Sequence, residues 1–208
     1  LLVHWPSRQA DHDRTFLDLS ALAELRSIGL SDTAITLGAL TTYWDTIRDQ
    51  RIGAAFPMLI DAARQVGAIQ IQSRGTWAGN IANGSPAADG VPALMAYDAS
   101  VTLASRSGSR SIPLDGYYTG YRRSVRRPDE LIVAITLPRR TYDLQVFHKV
   151  GPRRAQAITK VGVAITRIAG GGPAPWRVVA SSVAATVRRC PAIESLLSAP
   201  TPIRSPAD

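Results

Sequence analysis

Apolar residues at Phe56, Leu59, Ile60, Ala63 and Val66 recur at helical spacing while Asp61, Arg64 and Gln65 fall on the opposite side, which predicts an amphipathic helix closed by Gly67. Before it, Ile35 to Gly38 reads as a strand, and Thr42 followed by Asp45 has the spacing of a capping box that opens a helix. Leu17 to Ile28 reads as a short strand followed by a helical turn, with Leu22, Leu25 and Ile28 at three-residue spacing. Further on, the pattern changes to short extended runs. Ala99 to Ala104 and Arg110 to Pro113 flank Ser107-Gly108-Ser109, a hairpin signal, and Leu131 to Leu137 is a strand stopped by Pro138. From Tyr142 come Val146 to Val150, Ala157 to Ile168, a glycine turn at Gly170 to Pro173, a strand over Val178 to Val183, and a helix near Ile193 to Leu197. Strands and then a helix, joined by tight turns, predict a small antiparallel unit separate from the first. The expected division is residues 1–140 and 141–208, with the boundary between Pro138 and Tyr142.

A chain of 208 residues with 45% hydrophobic and 19% charged residues can bury one sizeable core or two modest ones, so it is expected to fold as a globular protein. The net charge of +8 raises nucleic acid, acidic membrane or acidic protein partners. Its densest run, Tyr121 to Pro128, has no repeated aromatic platform for bases and reads first as a solvated loop. A single cysteine, Cys190, allows neither an intrachain disulfide nor an iron–sulfur cluster built from this chain alone, and points to the cytoplasm. Leu1 to Pro6 lack the long apolar stretch expected of a signal peptide, no membrane-length apolar run occurs in the sequence, and His4, His12 and His148 are too scattered to predict a metal site. The run from Ala199 to Asp208 reads as a frayed tail.

Candidate chemistry lies in residues 75 to 89, Gly-Thr-Trp-Ala-Gly-Asn-Ile-Ala-Asn-Gly-Ser-Pro-Ala-Ala-Asp, which hold three glycines and a set of small hydrogen-bonding side chains. Such a loop lets backbone N–H groups approach an anionic or densely polar ligand, and a phosphate, a ribityl chain or a heterocycle edge would each suit it. A plain connecting loop suits it as well. No G-x-G-x-x-G follows a strand, and no G-x-x-x-x-G-K-[ST] occurs, so the two common nucleotide-binding loops are excluded.

The run from Gln70 to Asp89, preceded by Phe56-Pro57-Met58-Leu59, resembles the pattern Q-I-R-N-x-G-T-x-G-G-N-I-x-x-x-S-P-x-x-D of the FAD-binding domain of the molybdenum hydroxylases, the xanthine dehydrogenase and carbon monoxide dehydrogenase flavoproteins. The likeness extends upstream to Leu17-Asp18-Leu19-Ser20 and Leu37 to Thr42, and downstream to Asp129-Glu130-Leu131-Ile132 and Phe147 to Ala155. It implies an α+β fold: an FAD-binding domain of the vanillyl-alcohol-oxidase/PCMH type, followed by a small antiparallel α+β C-terminal domain. Ala78 stands where the family has glycine. The family's first glycine-rich loop would precede Leu1, so the chain is expected to be truncated at its N-terminus.

Carried over position by position, the resemblance places FAD contacts on Thr76, Gly79, Asn80, Asn83, Asp89, Leu131 and Lys149. Thr76 and the backbone around Gly79 and Asn80 would bond the diphosphate or ribityl hydroxyls, Asp89 would accept from hydroxyl groups, Leu131 would pack on the ring, and Lys149 would favour its reduced form. Without the resemblance, Lys149 reads as a solvated lysine. Molybdopterin and [2Fe-2S] clusters are implied on a large and a small partner subunit, with a small-molecule terminal acceptor and no catalytic residue on this chain. A flavin-free scaffold in the same kind of complex, or a nucleic-acid-binding module, are the alternatives.

Overall fold

The computed structural model describes residues 17–153, 156–172 and 174–199. Leu1 to Pro6, His4 and His12, and the tail beyond Ala199, for which the sequence raised expectations, lie outside these residues. Two antiparallel sheets carry the fold. The first has the order β1 (Ile28–Leu30), β2 (Ala34–Gly38), β7 (Leu131–Pro138), β3 (Ser100–Ser105) and β4 (Gly108–Pro113). The second has β11 (Arg188–Arg189), β10 (Trp176–Ser181), β9 (Val161–Ile168) and β8 (Tyr142–Val150). A two-stranded ribbon, β5 (Tyr118–Gly120) with β6 (Arg123–Ser124), stands apart. The first sheet's last strand ends at Pro138 and the second sheet starts at Tyr142.

Helices fill the space between β2 and β3: α1 (Tyr43–Arg48), α2 (Gln50–Ala55), α3 (Pro57–Arg64), α4 (Ile69–Gln72), α5 (Trp77–Asn83) and α6 (Gly90–Ala96). The helix α7 (Pro191–Ser198) packs on β10. The expected capping box opens α1, with Asp45 N–H donating to Thr42 Oγ1 at 3.0 Å and Thr42 N–H donating back to Asp45 Oδ2 at 2.9 Å. The amphipathic pattern becomes α3, whose Leu59, Ile60 and Ala63 are buried, and Gly67 turns the chain away at φ +54°. The helix begins at Pro57, since proline at the first position has no N–H to leave unpaired.

In β7, Ile132 and Ile135 are both buried although three residues apart, which a plain strand would send to opposite faces. A bulge reconciles them: Thr102 pairs with Ala134 but Leu103 pairs with Ile132, leaving Val133 outside the ladder. The freed Val133 carbonyl accepts the Ala39 N–H at 3.0 Å.

Three expectations need correction. Leu17 to Ile28 does not begin with a strand; a 3-10 turn at Ala23–Arg26 comes first and β1 follows, and Leu17 is exposed with no sheet to pair with. The strand expected over Val178 to Val183 runs two residues earlier, because Ser182 adopts φ +63° and breaks the ladder. The third is the glycine-rich segment, whose Trp77–Asn83 stretch is helix α5 rather than loop.

α6 had no signal in the sequence at all. All seven of its residues are buried, and it contacts α3, α5, β9 and β10. A helix with no solvent face shows no amphipathic period. Its position against both the first-sheet helices and the second sheet is what brings Asp89, the residue just before it, to the seam.

Candidate cofactor site

Thr76 is the N-cap of α5, held extended at φ −108° and ψ 153°, with its Oγ1 accepting the Gly79 N–H at 3.0 Å. Trp77 N–H donates to Thr41 O at 3.3 Å and Asn80 N–H to Thr76 O at 3.0 Å. Trp77 and Ile81, four apart, anchor the helix in the core, and the Trp77 indole N–H donates to Thr46 Oγ1 at 2.6 Å. Gly84 ends the helix in the left-handed region at φ +61°, where a Cβ would also meet Arg122 Cα at 3.1 Å. The N–H groups of Gly79 and Asn80, expected to face a ligand, are therefore spent within the helix. What the segment still offers are the Thr76 hydroxyl proton, the Asn80 carboxamide and the exposed Asn83.

Asn80 Oδ1 is buried and has no hydrogen-bond partner among the described residues. It lies against Gly90, where a Cβ would sit 3.1 Å from it and 2.9 Å from the Trp77 ring. An unpaired buried oxygen costs about 1–3 kcal/mol unless a donor reaches it. Ala78, the departure from the family pattern, is 5% exposed and belongs to the apolar core, so its methyl packs inward with Trp77 and Ile81.

Asp89 and Lys149, sixty residues apart, meet directly. Lys149 Nζ donates to Asp89 Oδ2 at 2.7 Å and to the Gln65 carbonyl at 3.0 Å. Their side chains are 12% and 7% exposed, so Lys149 is not the solvated strand lysine that residue type alone suggests. The Thr159 hydroxyl donates to the other Asp89 oxygen. Tyr43 lies close enough that burial, with the Asp89 charge adding to it, pushes its hydroxyl well above the usual tyrosine range. That hydroxyl too has no partner among the described residues.

Beside this pair a cleft of about 540 Å³ opens between the end of α3 and the β8–β9 connection, lined by Arg64, Gln65, Gly67, Lys149, Gly151 and Gln156 among others. Among the described residues no carboxylate lines it. Leu131, at the start of β7, is 51% exposed, a large apolar side chain with open space to fill. The turn before it is fixed by Glu130: Arg110 donates twice to its carboxylate, at 2.6 and 2.9 Å, and Arg127 N–H once, at 2.7 Å. The Arg110 guanidinium, then the Arg127 N–H, hold the Glu130 carboxyl down to about 2.

Of the expected contacts, the structure brings Asp89 to Lys149 and Thr76 to Gly79; Asn83 and Leu131 are exposed, and among the described residues their side chains make no hydrogen bond to the others. Gln65, Thr159, Tyr43 and Glu130 were not picked out from the sequence. Gln65 takes part through its backbone, which no side-chain pattern signals. Glu130 did carry a signal, an acidic residue directly before a strand and after four arginines within the eight-residue run Tyr121 to Pro128.

Among the described residues no group of His, Cys, Asp and Glu could hold a metal ion, and no helix is long and apolar enough to cross a membrane. A family described as the FAD binding domain in molybdopterin dehydrogenase matches residues 1–140. The xanthine dehydrogenase FAD-binding subunit of Escherichia coli O157:H7 is 32% identical over 184 residues, covering 86% of this chain and 63% of its own length. The nicotinate dehydrogenase FAD-subunit of Eubacterium barkeri is 33% identical over 150 residues, covering 70% of this chain and 51% of its own. The chain thus spans less than two thirds of these relatives. In structure, carbon monoxide dehydrogenase from Hydrogenophaga pseudoflava superposes with a TM-score of 0.80 at 29% identity, covering 86% of this chain and 62% of that one. The motif, the paired antiparallel sheets and these likenesses agree, and the chain belongs to the family of FAD binding domains found in molybdopterin dehydrogenases.

Proposed function

We propose that this chain is the flavoprotein component of a molybdopterin-dependent dehydrogenase complex, dividing near residue 140 into an FAD-binding domain and a small C-terminal domain. When bound, FAD supplies the exchange between single electrons from the [2Fe-2S] clusters of a small partner subunit and the electron pairs taken by a terminal acceptor, with molybdopterin on a large partner subunit. The residues of this chain bind and orient. Thr76, Asn80 and Asn83 would hold polar parts of the cofactor, and the unpaired Asn80 Oδ1 fits a hydroxyl or N–H donor. Leu131 would cover an apolar face. Gly79 would allow close approach where any side chain would project. Lys149 and Asp89 would set the charge beside the ring, a cation favouring the reduced form.

The observation that carries this reading is the Asp89–Lys149 pair. It joins the last residue of the motif to the second sheet, at the two positions the family resemblance assigns to one site. The test is flavin content: the complex purified in its assembled state is expected to show flavin absorbance, and Asp89→Asn to lose most of it while the partners remain bound. A complex fully loaded with its other cofactors but free of flavin would overturn the reading.

One observation favours a flavin-free scaffold instead: Asp89 and Lys149 already pair with each other, and the Trp77, Gly79 and Asn80 N–H groups of α5 already have protein acceptors. Under that reading Asp89→Asn leaves turnover intact.

A further inference from the structure

Thr159 lies in the β8–β9 connection and is 4% exposed. Its hydroxyl donates to Asp89 Oδ1 while Lys149 holds Oδ2, so each oxygen of that carboxylate has its own donor. The Thr159 carbonyl accepts the Ser182 hydroxyl at 2.9 Å, and Ser182 N–H donates to the Pro86 carbonyl at 2.8 Å. Ser182 reaches this position through the backbone bend at φ +63° that ends β10. The bonds form a closed circuit. It leaves the motif at Asp89, crosses two connections of the second sheet, and returns to the motif at Pro86.

From this circuit we infer that Thr159 is a positioning residue for the cofactor site, fixing the Asp89 carboxylate and thereby setting how much of the Lys149 charge a bound flavin feels; the inference rests on the flavin reading above. A buried carboxylate oxygen without a donor is costly, so an Asp89 released by Thr159 turns to put both oxygens on Lys149. With the hydroxyl in place, part of the carboxylate charge is answered by Thr159, and the cation is less fully cancelled. The sign follows from charge: reduction adds electron density to the ring, and an uncancelled cation favours it. Loss of the hydroxyl disfavours it.

The experiment is a redox titration of the flavin absorbance in the full-length protein assembled with its partner subunits, comparing wild type, Thr159→Val and Thr159→Ser. Thr159→Val is expected to move the potential to a more negative value, a change of about threefold to tenfold in the ratio of FAD dissociation constants for the oxidised and reduced forms, the net range of a single hydrogen bond. Thr159→Ser keeps the donor and is expected to match wild type. A Thr159→Val potential equal to wild type, or a Thr159→Ser shift as large as that of Thr159→Val, overturns the inference and leaves the flavin reading standing. Absence of flavin from the wild-type complex overturns both. Should Thr159→Val not assemble, Ser182→Ala, which strips the donor from the Thr159 carbonyl, carries the test: a smaller shift of the same sign supports the inference and an unchanged potential overturns it.

Discussion

The first-sheet region and the second sheet are held by different forces. Among the described residues, the buried apolar set comes almost wholly from before residue 140, and beyond it only Phe147, Ala164, Val178, Val179 and Val187 join. Besides the apolar packing of β9 and β10 on α6, the second sheet is fastened to the first region by polar ties: Asp98 bonds Arg177 as well as Arg140 just before β8, Tyr97 O–H donates to Gln145, Thr166 O–H donates to Ala96 O, and Asp89 takes Lys149 and Thr159. Apolar burial is non-directional and gives stability in bulk. Hydrogen bonds and ion pairs add little net stability but fix orientation. The Asp89–Lys149 pair sits where that orientation is fixed.

The contrast can be broken first in the apolar region. Ile135→Ala, at a fully buried position in the middle of β7, is expected to cost about 2–5 kcal/mol in urea unfolding. A loss below about 1 kcal/mol would mean the first region does not rest on this core. Next, Thr76→Ala removes the α5 cap and is expected to cost about 1 kcal/mol, with faster amide exchange confined to α5. Asp98→Asn tests the polar side. Asparagine tolerates the φ of +54° at this position, so the effect isolates the lost charge toward Arg140 and Arg177. It is expected to cost only about 0.5–1 kcal/mol, since both pairs are partly exposed, yet to speed amide exchange in β8 to β10 while β2 and β7 stay protected. Equal loosening of both sheets would erase the distinction.

The last effect is read against pH and concerns Glu130. Its carboxyl is depressed from 4.5 to about 2, so the stability it contributes is present above pH 4.5 and is lost as the pH falls towards 2. Thermal unfolding followed against pH is expected to lose that part of its acid slope in Glu130→Gln. An unchanged slope would show that the Arg110 pair does not act through ionisation.

Much of the first region could be read along the chain because its signals are local. The capping box of α1, the apolar stripe of α3 and the β3–β4 hairpin each depend on residues within one or two turns of each other. Where local reading failed, a distant contact had decided. Glycine and asparagine made residues 75 to 89 look like a loop, but Trp77 and Ile81 bury against the core and outweigh weak helix propensity. α6, covered on every side, has no polar face for a period to reveal.

By itself the sequence determined the fold class and the family, and it nominated the positions proposed for a flavin, because a motif is a statement about neighbours in order. Only the tertiary structure decided how those positions are used: that the α5 amides are spent on the helix, that Lys149 is buried against Asp89, and that Thr159, seventy residues from Asp89, completes the carboxylate's shell. Partners so far apart are chosen by how the two sheets pack around α6, and no local spacing along the chain encodes that distance.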